Sequence, residues 1–80
     1  MSGITMYSAT WCPDCRRTKR FLNEHSVPYT EVDIDTDSGA ARYVIQVNGG
    51  LRIIPTIVFE DGSILVEPSN GELSKKLGIS

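Results

Sequence analysis

The spacing of apolar residues changes repeatedly along the chain, and each change marks a predicted element. Ile4-Thr5-Met6-Tyr7-Ser8 is short and apolar and predicts a first strand. Pro13 then stands where a helix can begin, because the N–H it lacks is unpaired in a first turn anyway. From Pro13 to about His25 the period lengthens to that of a helix. Thr18, Phe21 and Leu22 face inward, and Arg16, Arg17, Lys19 and Arg20 face mostly outward. Val27-Pro28 ends that helix. Tyr29 to Asp35 alternates and predicts a second strand with Val32 and Ile34 on one face.

Asp37 or Ser38 is placed to cap a second helix running to about Asn48. Its inward stripe is Ala41, Val44, Ile45 and Asn48, flanked by Ala40 and Val47. Asn48-Gly49-Gly50 is a strong stop. The stretch Ile53 to Phe59 contains a third strand, Glu60-Asp61-Gly62-Ser63 a hairpin turn, and Ile64-Leu65-Val66 a fourth strand. Ser69-Asn70-Gly71-Glu72 has the capping-box pattern for a last helix, on which Leu73 and Leu77 lie one turn apart. The order is β-α-β-α-β-β-α, a single α/β domain over residues 1–80 with no repeat, linker or low-complexity tract.

Composition narrows the class. Eighty residues with 40% hydrophobic and 22% charged content describe a small globular chain, not a disordered one. A net charge of −2 lacks the basic face of a nucleic-acid binder. No apolar run approaches the roughly 20 residues of a membrane span, and the N-terminus has no signal-peptide pattern, so a cytoplasmic domain is expected.

The two cysteines carry the candidate chemistry. Cys12 and Cys15 form Cys-Pro-Asp-Cys, and a bridge between them would close too short a loop to stabilise the fold much. Cys12 falls where the first strand gives way to the helix, and unpaired first-turn N–H groups with the positive end of the helix dipole favour a thiolate there. Cys12 is therefore the candidate nucleophile. Cys15, one turn along, can resolve a mixed disulfide formed on Cys12, so the pair makes a dithiol–disulfide switch. Asp14 either works against a second negative charge beside the pair or is a solvated carboxylate that helps the helix start. Other uses of the cysteines lack partners. Structural zinc needs four ligands and only His25 remains, haem attachment needs His at position 16 where Arg16 stands, and an iron–sulfur site would borrow cysteines from a second chain or a thiol.

With Met6-Tyr7-Ser8 leading to Trp11-Cys12-Pro13-Asp14-Cys15, then Val32-Asp33-Ile34-Asp35 and Ile54-Pro55-Thr56, the chain resembles the glutaredoxins of the thioredoxin superfamily over nearly its whole length. It looks most like the mycoredoxins, actinobacterial relatives that reduce mycothiol mixed disulfides. Trp11, Val47-Asn48-Gly49-Gly50, Arg52, Asp61-Gly62-Ser63 and Pro68-Ser69 carry that likeness. The resemblance implies a thioredoxin fold, a central mixed four-stranded sheet with helices on both faces. It also implies a cis Ile54–Pro55 bond beside the cysteines, where the Ile54 backbone pairs with an extended substrate. Two departures concern the thiol. The Gly-Gly pair followed by Cys or Ser and Asp, usual in glutathione-using members, is replaced by Leu65-Val66-Glu67-Pro68-Ser69-Asn70, and Ser8-Ala9-Thr10 stands where a lysine is often found. Both remove expected contacts to glutathione carboxylates. NrdH-type redoxins, which take electrons from thioredoxin reductase, typically carry a late Trp-Ser-Gly-Phe-Arg-Pro segment that is missing here.

The expectation is a thiol–disulfide oxidoreductase with no bound cofactor or metal. Its electron donor is a low-molecular-weight thiol (mycothiol, bacillithiol or glutathione) kept reduced by an NADPH-dependent reductase, and its substrates are oxidised proteins that a monomer meets transiently. An NrdH or thioredoxin-like dithiol donor, and a non-catalytic iron–sulfur or metal-binding module, are the alternatives. Candidate substrate contacts are Trp11, with its N–H free, Pro13, Arg52 for a carboxylate, Ile54, Pro55, and Ser69 and Asn70 for an anion at the last helix. Asp33 and Asp35 read as a solvated strand terminus, the tyrosines as packing residues, and His25 as a helix-end residue.

Overall fold

β1 (Thr5–Ser8) lies inside the sheet, hydrogen-bonded on both sides; the computed structural model describes residues 3–79. On one side it pairs in parallel with β2 (Thr30–Asp33), aligning Tyr7 with Val32. On the other it pairs antiparallel with β3 (Thr56–Val58), aligning Met6 with Ile57. β4 (Ile64–Val66) returns antiparallel on β3, giving the sheet order β2-β1-β3-β4. The helices are α1 (Pro13–Glu24), α2 (Ser38–Val47) and α3 (Asn70–Leu77), so the chain order is the one that the sequence predicts.

The period-2 geometry of β1 sends neighbouring side chains to opposite faces, and each face has its own core. Met6 and Ile57 pack with Phe21 and Leu22 of α1 and Leu73 of α3. On the other face Tyr7 and Val32 adjoin a cluster of Ile34, Ala40, Val44, Ile54 and both cysteines. The tyrosine reading holds, since Tyr7 stacks on Tyr43 of α2 at 5.2 Å and Tyr29 packs beside the first cluster. His25 is the C-cap of α1, its ring 4.4 Å from that of Phe21.

The strands are shorter than their apolar runs. Ile34 lies past the end of β2 yet is buried, its N–H donating to the Ser8 carbonyl at 3.0 Å. The buried line of α2 is Ala40 and Val44, with Ala41 and Ile45 half-buried. The expected stripe of Ala41, Val44, Ile45 and Asn48 therefore faces inward, with Ala40 from its flank buried beside it, while Val47 is exposed; Asp37 caps the helix, accepting from the Ala40 N–H at 3.0 Å.

α3 is fastened at both ends. Ser69 accepts from the Glu72 N–H at 3.1 Å while Glu72 accepts from the Ser69 N–H at 2.8 Å, the reciprocal capping box. Gly78 follows at φ 71°, the left-handed position that a side chain would strain. Between them Leu73 is fully buried, and Lys76 reaches Asp61 in the hairpin turn at 2.8 Å. We expect Leu73→Ala to lower unfolding free energy by about 2–5 kcal/mol and Ser69→Ala by about 1 kcal/mol. Urea denaturation followed by far-ultraviolet circular dichroism checks both. Equal losses would mean that α3 is held by its cap as much as by its buried face.

Candidate active site

Four residues, Ala9 to Cys12, connect the central strand to α1. The Cys12 N–H donates to the Ala9 carbonyl at 3.3 Å, so the chain turns sharply and Cys12 becomes the N-cap, with Pro13 at the first helical position. An N-cap side chain accepts from first-turn N–H groups. Here that acceptor is sulfur: Cys12 Sγ takes the Cys15 N–H at 3.2 Å. The sulfur therefore sits at the positive end of α1 with a first-turn N–H aimed at it.

Both cysteines are free thiols, and their settings differ. Cys12 retains 5% exposure and opens onto a cleft, whereas Cys15 has none. Burial, helped by the hydrogen bond with Cys12, pushes the Cys15 thiol up to about 12. At neutral pH Cys15 is protonated, and Cys12 is the sulfur that reaches the cleft.

The cleft measures about 440 Å³ and is walled by Trp11, Pro13, Asp14, Arg52, Ile54 and Glu67 around Cys12. The Ile54–Pro55 bond is cis, as the sequence resemblance implies, and Pro55 is fully buried behind the wall. Its loop is tied from three sides. Thr56 Oγ1 donates to the Ile53 carbonyl at 2.7 Å and accepts from Asn48 Nδ2 at 3.1 Å. The Glu67 N–H donates to the Pro55 carbonyl at 2.8 Å.

Trp11, Pro13, Arg52 and Ile54 thus meet at Cys12, and two of them are engaged differently from expectation. The Trp11 indole is exposed, but its N–H is not free: it donates to Asp35 Oδ2 at 2.7 Å. Arg52 donates to Asp35 Oδ1 at 2.7 Å and to the Ile34 carbonyl at 3.4 Å. Asp35, read from sequence as a solvated terminus, is therefore a shared acceptor for two cleft walls. A signal for it existed. Adjacent parallel strands end side by side, so the first residues after β2, Ile34 and Asp35, lie beside the loop after β1.

Ser69 and Asn70 lie farther out, in a shallow groove of about 430 Å³ that shares Asp14 and Glu67 with the cleft. Several of their hydrogen-bonding groups have internal partners. The Ser69 N–H and hydroxyl belong to the capping box, and Asn70 Oδ1 accepts from Arg17 at 2.6 Å. Arg17 also donates to the Pro68 carbonyl at 2.8 Å, locking α1 to the start of α3. Three carboxylates, Asp14, Glu67 and Glu72, face that one guanidinium, so the groove is acidic. Among the described residues no three His, Cys, Asp or Glu side chains converge to hold a metal ion.

A helix-capping sulfur open to a cleft, a buried thiol one turn along and a cis-proline loop facing them are an arrangement suited to thiol–disulfide exchange. The family model described as Glutaredoxin matches residues 4–64. The chain belongs to the glutaredoxin family and is a thiol–disulfide oxidoreductase. Members of this family act with low-molecular-weight thiols. The chain is 36% identical to Mycoredoxin 1 of Corynebacterium glutamicum over 77 residues, 96% of this chain and 95% of that one. It is 43% identical over 76 residues to a Mycobacterium tuberculosis protein named "Putative glutaredoxin Rv3198A", 95% of this chain and 90% of that one. A shorter likeness, 33% over 58 residues, is to the glutaredoxin-like protein NrdH of Lactococcus lactis, covering 72% of this chain and 78% of that one. Among solved structures, a mutant of the thioredoxin-like protein BC3987 superposes over the full length of both chains with TM-score 0.83 at 29% identity. The glutaredoxin of Methanosarcina mazei shares the fold at TM-score 0.81, over 98% of this chain and 80% of that one, at 24% identity.

This glutaredoxin carries an internal reporter of its cleft, because Trp11 is the single tryptophan. The Asp35 carboxyl is held below the usual carboxylate range, first by the hydrogen bond from Arg52 and then by that from Trp11. Folding lowers that pKa, so the pairing is complete above the unfolded value of about 3.9 and is lost as pH falls through the lower folded value. Tryptophan emission is expected to titrate with a midpoint below about 3.9, and Arg52→Gln is expected to raise that midpoint. A midpoint matching a free aspartate would mean that Asp35 is not engaged in solution.

Proposed function

We propose that this chain is a mycoredoxin-type reductase that releases proteins from mixed disulfides with mycothiol in the cytoplasm. The observation that carries the reading is the asymmetry of the two thiols. Cys12 faces the cleft as an N–H-bonded helix cap, while Cys15 is sealed and held protonated.

In the proposed reaction the Cys12 thiolate attacks the mycothiol sulfur of the mixed disulfide. The Cys12–sulfur bond forms as the protein–mycothiol bond breaks, and the protein sulfur leaves as a thiolate that takes a proton. A second mycothiol thiolate then attacks the sulfur bound to Cys12. It departs as mycothiol disulfide, restores the Cys12 thiolate, and passes the oxidation to an NADPH-dependent reductase. Cys15 offers the alternative exit: after losing its proton it attacks Cys12 Sγ, the internal disulfide forms as the Cys12–mycothiol bond breaks, and mycothiol leaves as a thiolate that takes a proton. The high pKa of Cys15 makes that exit the slower one at neutral pH.

Trp11 and Pro13 provide walls for the thiol, and the Ile54 backbone beside Pro55 lies where an extended protein substrate would run. Ser69 and Asn70 border the far end of the groove. The chain needs no resident cofactor or metal for these steps and works as a monomer on passing partners. Mycothiol is favoured over its analogues on charge. Glutathione and bacillithiol bear carboxylates and mycothiol bears none, while Asp14, Glu67 and Glu72 line the groove. The extent of the likeness to Mycoredoxin 1 supports the same choice.

The test is reductase activity of the unaltered chain, Cys12→Ser and Cys15→Ser on mixed disulfides of mycothiol, bacillithiol and glutathione, each coupled to its own reductase. Cys12→Ser is expected to fall to background with all three. Cys15→Ser is expected to keep most of its activity with mycothiol. If Cys15→Ser is inactive throughout while the unaltered chain accepts electrons from thioredoxin reductase, the protein is a dithiol donor of the kind that the NrdH likeness suggests. A coloured protein that dimerises with added thiol would instead indicate cluster binding.

A further inference from the structure

Asp35 lies outside the reacting pair, yet it holds two of the residues that line the cleft, Trp11 and Arg52. One carboxylate oxygen accepts from Arg52 and the other from Trp11, each at 2.7 Å. The acceptor is itself held in place. The Asp35 N–H donates to Asp33 Oδ1 at 2.9 Å, and the preceding Ile34 is buried and bonded to the Ser8 carbonyl.

Arg52 is the one cation among the described residues that line the cleft. The other nearby guanidinium groups are directed elsewhere. Arg17 reaches Asn70 and the Pro68 carbonyl, and Arg16 donates to the Thr10 carbonyl at 3.2 Å. A carboxylate arriving on a thiol substrate would therefore have Arg52 as its partner in the cleft. An arginine that recognises a carboxylate offers its planar fork of N–H groups. Here the protein's own carboxylate already takes one arm of that fork, Nη2, and so offsets its charge.

We propose that Asp35 is a specificity-determining positioning residue: as an internal carboxylate on Arg52 it withholds the cleft's cation from carboxylate-bearing thiols, and it fixes the Trp11 wall. The inference rests on the cleft being the thiol site proposed above. It adds a reason within the protein for the preference, beyond the acidity of the outer groove.

The test uses Asp35→Asn, which retains an amide oxygen for the Trp11 N–H but removes the charge on Arg52. The quantity read is the ratio of kcat/KM for the glutathione and mycothiol mixed disulfides of one peptide. That ratio is expected to rise about three- to fivefold in Asp35→Asn, the range of a freed surface ion pair. The gain is expected to shrink in roughly 1 M salt and to disappear when Arg52→Gln is added. An unchanged ratio overturns the proposal. A gain that survives in the double variant also overturns it, because the effect would then be the loss of a negative charge and not the release of Arg52. If the unaltered chain turns over neither disulfide, the thiol reading is what has failed. Binding of S-methylglutathione, followed by Trp11 emission, then decides on Asp35: tighter binding to Asp35→Asn supports the proposal and equal binding refutes it.

Discussion

The site depends on where the central strand is forced to end. β1 is hydrogen-bonded on both flanks, so its position in the sheet is fixed by two registers at once. The short connection leaves little freedom in where α1 begins, and the first-turn N–H groups of that helix require an acceptor. Cys12 supplies it with sulfur. From that junction the remainder follows. Cys15, three residues on, is carried beneath the surface. The cis-proline loop is held across the cleft by Thr56, Asn48 and Glu67, and the end of β2 is brought alongside.

Burial then divides the chemistry between two like residues. A thiol in an apolar cluster loses the water that would stabilise its charge, while one at a helix start gains N–H groups that replace it. Cys12 and Cys15 belong to the same cluster. Only three positions separate them, so the difference comes from the helix geometry around each sulfur and not from the composition of the region.

The features legible in the sequence are those that local chemistry decides. Pro13 after Cys12, Asp37 before α2, Asn48-Gly49-Gly50 and the Ser69-to-Glu72 box all act within one helical turn, and each lies at or beside the element end that the pattern predicts. Contacts between segments distant in sequence are less legible. Trp11 and Asp35 are 24 residues apart, and Arg17 and Asn70 are 53 apart. Each pair forms only once the strands are in register, so a polar residue at a strand end looked solvated when it was committed to a partner. Glu67 is a further case. Its φ of 48° is uncommon for a residue with a side chain, and it brings a carboxylate to the cleft while its N–H bonds the Pro55 carbonyl. Nothing in the residue type announces that conformation.

The abrupt end of β4 has a consequence for how this small protein behaves among others. An edge strand displays unpaired backbone groups that can template the strand of another chain. β4 is only three residues long, and although Ile64 and Val66 are partly exposed, Glu67 at once turns the backbone into a left-handed conformation and Pro68, which has no N–H, follows. A foreign strand would find too few consecutive donors and acceptors to dock. The residues that deliver a carboxylate to the cleft therefore also blunt the sheet edge against aggregation.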